Sequence, residues 1–128
     1  MVCFRCSCTH TEFFAGFQIV SLLEDTCVEI YEVDGDKYTK LLDVHLPEAY
    51  EVYTYAGAIG EDLTGVFINA SFPISLYSGH ACANVPEAAP FCDHMVEQLL
   101  PVSEWGELHF VPPIVGRNEN AGYVQSYT

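Results

Sequence analysis

Cys27 to Val33 (CVEIYEV) alternates apolar and polar side chains, with Val28 and Ile30 on one face and Glu29 and Tyr31 on the other. A period of two marks a strand that is buried on one side only. Asp34-Gly35 follows, the dipeptide of a tight type I′ hairpin, so Tyr38 to Val44 is expected to return as the antiparallel partner. The same grammar recurs along the chain. Phe17 to Leu23 (FQIVSLL) is a short apolar run closed by Glu24-Asp25. Glu48 to Ala56 sets Tyr50, Val52 and Thr54 opposite Glu51, Tyr53 and Tyr55. Leu63 to Ile68 and Ile74 to Tyr77 flank an Asn69-Ala70-Ser71 turn, with Pro73 where a missing donor is tolerated. Turn signals recurring about every ten residues predict an all-β fold, antiparallel hairpins in a sandwich-like or stacked sheet arrangement. One short helix is expected near residues 93–100, where Asp93 suits an N-cap for HMVEQLL and Pro101 stops it. Val111 to Val115, interrupted by Pro112-Pro113, reads as an edge, and Tyr123 to Tyr127 as a last strand.

The 128 residues suffice for one domain with a real core. Eight Tyr and eight Phe against four Lys plus Arg favour strands over solvated helices. The formal charge of −14 argues against a nucleic-acid partner, since neutralising phosphates takes Lys and Arg that this chain lacks. An anionic membrane surface is disfavoured for the same reason, and no stretch has the apolar length of a membrane span. Such charge keeps a Tyr- and Phe-rich surface soluble. It also suits repulsion within a hydrated matrix, or attraction to a basic partner or Ca²⁺.

Six cysteines, Cys3, Cys6, Cys8, Cys27, Cys82 and Cys92, tilt the compartment towards an oxidising one. The first residues hold no apolar run long enough for a signal peptide. Either the chain is cytosolic with free thiols, or it is a fragment whose amino terminus lies upstream, the reading favoured by the resemblance below. The densest constellation is SGHACANVPEAAPFCDHMVEQ. His80, Cys82, Cys92 and His94 offer two thiolates and two imidazoles to a tetrahedral zinc ion, although structural zinc sites generally use more closely spaced Cys pairs. The preferred reading is a Cys82–Cys92 disulfide that closes a loop holding Pro86 and Pro90, with His80 and His94 partly exposed beside it. Cys3, Cys6 and Cys8 form C-x-x-C-x-C, a metal-like cluster without further spaced ligands, or thiols with partners elsewhere. Cys27 lies in a strand, either as a buried free thiol or as one of those partners.

Catalytic patterns are missing: no G-x-S-x-G elbow, no phosphate loop, no G-x-G-x-x-G and no H-E-x-x-H. Asp34 and Asp36 around Gly35 resemble part of a calcium loop without its closing ligands, so a hairpin turn is preferred. Asn69-Ala70-Ser71 is an N-x-[ST] sequon, a glycosylation candidate if the chain is secreted. Trp105, the only tryptophan, is a core anchor or, if exposed, the first candidate for a binding hot spot.

The stretch DLTGVFINASFPISLYSGHACANVPEAAPFCDHMVEQLLPVSEWG closely resembles the amino-terminal domain of the IgG Fc-binding protein family. The likeness rests on Leu63 to Gly65, Pro73 to Gly79, Cys82, Cys92 to Gln98, and Pro101 to Gly106. Leu100, where that family commonly has proline, and Glu104, where it often has threonine, depart from the pattern. A weaker likeness covers most of residues 17–128, which are expected to be a partial copy of a longer β domain, with 1–16 unassigned. The resemblance implies a secreted glycoprotein module of mucus-like or adhesive matrices, a matrix-interaction module that binds an extracellular protein, glycoprotein or glycan. Immunoglobulin Fc would be the partner only if the source has IgG. No catalytic residue is carried over from that family; no cofactor is expected, and the lack of a long apolar stretch argues against membrane insertion. The resemblance transfers only the paired cysteines, and those as structure; Trp105, His80 and His94 are binding candidates on the residues' own chemistry.

Overall fold

The structure, a computed structural model, describes residues 14–84 and 90–106. Among these residues seven strands run β1 (Ala15–Ser21), β2 (Thr26–Asp34), β3 (Lys37–Leu46), β4 (Val52–Ala56), β5 (Phe67–Ala70), β6 (Ile74–Ala83) and β7 (Asp93–Leu99), followed by one 3-10 turn, η1 (Val102–Glu104). They form a four-stranded sheet of order β4-β1-β6-β7 and a three-stranded sheet of order β3-β2-β5. Every pairing is antiparallel. The all-β expectation therefore holds.

Alternation decides which side chains the sheets share. Phe17 and Ile19 of β1, Val28 and Ile30 of β2, and Leu46 of β3 form one buried cluster with Leu63 and Val66 from the connection into β5. Both sheets contribute to that core, so they pack as a sandwich around it. At the β1–β4 pair, Phe17 and Tyr55 sit opposite one another and stack at 5.0 Å. Among the buried polar side chains, Thr26 and Ser21 are fully enclosed and satisfied. Thr26 Oγ1 donates to the Leu23 carbonyl, and Ser21 Oγ donates to Glu48 O while accepting from Glu51 N–H. These bonds hold the turn before β4, where Tyr50 takes a positive φ of 64°. That turn is why β4 starts at Val52 and not at Glu48, as alternation suggested.

The β2–β3 hairpin forms as expected, with its loop shifted by one residue. Asp34 pairs with Lys37, leaving Gly35 and Asp36 as the turn, and Gly35 takes the positive φ of 58° that its first position requires. A register shift between Ile30 and Tyr31 inserts Leu41 as an extra residue in β3. It keeps Leu42 and Val44 against the core while Tyr38 and Lys40 face outward. The strand expected over Leu63 to Ile68 is shorter and later, because Gly65 turns the chain at φ 86° and leaves Leu63 and Val66 as buried loop anchors. Asn69 and Ala70 accordingly belong to β5 itself, and only Ser71 lies beyond it.

The expected helix near 93–100 is not formed; those residues are β7. Seven residues make a marginal helix, whereas an adjacent strand edge satisfies every second backbone group at once. Asp93 Oδ1 still accepts the His94 N–H, but as a local turn at the strand start. The segments expected over Val111 to Val115 and Tyr123 to Tyr127, and the cluster Cys3, Cys6, Cys8, lie outside the described residues.

Candidate functional site

β6 and β7 build the region that the sequence singles out. Leu76, Ser78 and His80 stand opposite Leu99, Glu97 and Met95, while Tyr77 and Gly79 stand opposite Gln98 and Val96. Strand parity thus places His80 on the inner side of the sheet and His94, Val96 and Gln98 on the outer one. Gly79 is required here: a Cβ at that position would run into the Met95 carbonyl of the neighbouring strand. Its partner across β1, Gly16, is under similar constraint, since a Cβ there would lie 2.7 Å from Tyr55 O. Both outer strands therefore lie close over a glycine pair.

Past His80 the ladder is interrupted, and pairing resumes at Ala83 with Asp93. Cys82, inside that bulge, is bonded to Cys92 with a Cα–Cα separation of 5.0 Å. The disulfide joins the end of β6 to the start of β7 and closes the loop between them. It also overturns the zinc alternative. The two sulfurs are spent on each other, His80 and His94 point to opposite faces, and no metal-holding group occurs among the described residues.

His80 is not the partly exposed residue expected beside the bridge; it is only 7% exposed. Its Nδ1 accepts the Cys82 N–H at 3.1 Å, satisfying a donor that the bulge takes out of the ladder. Burial pushes the imidazole pKa below the 6.5 usual for histidine. Below 6.5 and down to the lower folded value the unfolded chain binds more protons than the folded one, so His80 contributes stability above 6.5 that is lost as pH falls from 6.5 through the folded value. His80→Asn retains an acceptor near the Nδ1 position without a titrating group. Unfolding midpoints measured from pH 7.5 to about 5 should therefore fall more steeply for the parent chain than for H80N. Parallel curves would remove His80 from that role.

β7 ends in an exposed apolar corner. Pro101 opens η1, Trp105 N–H donates to Val102 O, and the indole Nε1 donates back to Leu100 O at 3.2 Å. Trp105 is 42% exposed, beside Leu100 at 67% and Val102 at 51%. It is thus held by a backbone bond with much of its ring in solvent. His94 is exposed as well.

The outer face of the three-stranded sheet holds a second group. Tyr31, Tyr38 and Phe67 meet largely edge to face, with centroids 5.7 to 6.4 Å apart. Lys40 lies over the Tyr31 ring and pairs with both Glu29 and Asp43. Those bonds hold the Lys40 pKa above its ordinary value, and the Lys40 and Asn69 bonds hold Glu29 below its own. Sequence reasoning did not find this cluster, although the outward parity of Glu29 and Tyr31 was its visible signal. Cys27 is exposed on the same face, not buried, and is free among the described residues.

Fold and site define a small antiparallel sandwich with a disulfide at one strand edge and no helix long and apolar enough to cross a membrane among the described residues. The sequence model of the IgGFc binding protein family matches residues 7–127, and the chain belongs to that family. Over 57 residues the chain is 42% identical to the human protein named IgGFc-binding protein. That stretch covers 44% of this chain and 1% of the human protein's length. No solved structure matches the chain.

Proposed function

We propose that residues 17–128 act as part of a non-catalytic extracellular binding domain whose partner is an extracellular protein or glycoprotein, immunoglobulin Fc where the source has IgG. Family membership carries this reading. The Cys82–Cys92 bridge supports an oxidising destination such as a secreted, mucus-like matrix. Charge supports the choice of partner class, because Lys37 and Lys40 are the basic side chains of the described residues and Lys40 is already paired.

The contact surface is the β7–η1 corner, with Trp105 as anchor and His94 on the adjoining outer face. An exposed indole fixed by one backbone bond offers a large contact area at low entropic cost. Calorimetric titration of the chain with purified immunoglobulin Fc tests the assignment. Saturable binding is expected, and Trp105→Ala should weaken it by at least about 2 kcal/mol, roughly thirtyfold in Kd. No heat of binding to Fc would overturn the Fc assignment, and an unchanged Kd in W105A would move the contact surface elsewhere.

A further inference from the structure

We infer that Asn69 carries an N-linked glycan whose first sugar lies on the aromatic cluster of Tyr31, Tyr38 and Phe67, making the outer face of the three-stranded sheet a shielded face. The inference rests on the extracellular reading for the compartment, and on geometry for the rest.

Ile68 and Ala70 of β5 pack against the core, so parity turns Phe67 and Asn69 outward together. Positions two apart on a strand are about 7 Å apart, close to the span of one pyranose ring. Phe67 stands opposite Tyr31, and its ring meets Tyr38 edge to face at 5.7 Å. Tyr38 is 58% exposed. The polarised C–H face of an N-acetylglucosamine attached at Asn69 complements the negative face of these rings. On its other side Asn69, itself exposed, borders an open hollow of about 360 Å³ lined by Cys27, Asp43, His45 and Ser71.

The carboxamide itself is compatible with the modification. Asn69 Nδ2 donates one bond, to Glu29 Oε2 at 3.2 Å. Glycosylation breaks the bond between sugar C1 and a phosphate oxygen of a lipid-diphosphate-linked oligosaccharide donor and forms one between C1 and Nδ2. The amide loses one proton, the lipid diphosphate departs, and nothing is oxidised or reduced. The product keeps one Nδ2–H, enough for the bond to Glu29. β5 is also an edge strand of only four residues, which a bulky polar glycan protects from pairing with another chain.

The test is the full chain secreted from mammalian cells behind an added signal peptide, which supplies the compartment whatever the natural destination. Intact mass should show one N-glycan at Asn69, removed by peptide-N-glycosidase, absent in Asn69→Gln and kept in Ser71→Thr. Tyrosine nitration read by peptide mapping should modify Tyr38 several-fold more slowly in the glycosylated chain than after deglycosylation. A secreted chain without sugar at Asn69 overturns the modification. A glycosylated chain whose Tyr38 reacts equally in both forms overturns the seating. Either failure leaves Fc binding by the same preparation to be scored by itself, so the two readings fail separately.

Discussion

Ile30→Ala should lower the free energy of unfolding by about 2–5 kcal/mol, the cost of deleting a fully buried branched side chain that its surroundings cannot refill. Ile30 is 2% exposed at the centre of β2, between Leu42 on one neighbouring strand and Ile68 on the other. Ile30 belongs to the buried cluster that also holds Phe17 and Ile19 of the other sheet, and Leu42 and Ile68 pack against that cluster. A cavity there therefore weakens both pairings and the shared core. Domains of this size have about 5–15 kcal/mol of stability in total, so the variant should sit near its unfolding threshold. Ile30→Val, which leaves most of the volume, should cost about 0.5–1.5 kcal/mol. Urea unfolding followed by far-UV circular dichroism measures both. An Ile30→Ala midpoint within error of the parent chain would mean that the two sheets do not share the core described above.

That core was legible because it rests on parity. The inward set Val28 and Ile30, the partner strand to Val44 and the turn around Gly35 all follow from alternation and one glycine. The errors have a common physical origin in long-range partners. HMVEQL has helical composition, yet a bulge and a disulfide place it beside β6, and edge pairing outweighs its weak local preference. Strand β4 begins late because buried Ser21, distant in sequence, holds Tyr50 in a turn. At the site, the pairing of Cys82 with Cys92 was readable from the loop between them, whereas His80 and His94 read as neighbours beside the bridge or as joint zinc ligands. Their assignment to opposite faces required the register. The Tyr31, Tyr38 and Phe67 cluster was not readable, because it unites three strands whose pairing order no local pattern states.

Replacing both half-cystines, Cys82→Ala with Cys92→Ala, should cost about 3 kcal/mol on the loop-entropy account and should act locally before it acts globally. β7 is an edge strand in which only Met95 and Leu99 are half-buried, so little packing holds it once the covalent tie is gone. The bulge at Cys82 already breaks the ladder, which leaves His80↔Met95 as the first intact pair below it. Hydrogen exchange should therefore quicken across Asp93 to Leu99 while the amides of β2, at the centre of the other sheet, keep most of their protection. Ile30→Ala predicts the reverse, with protection falling throughout the core. Trp105 follows β7 and is tied to the residue just after it through Leu100 O, so fraying of the strand should weaken the proposed binding to Fc even at temperatures where the double variant remains folded. Exchange in β7 unchanged from the parent chain would show that strand pairing alone fixes the edge. Fc binding as strong as the parent's, with β7 exchanging freely, would detach the contact surface from this corner and from Trp105.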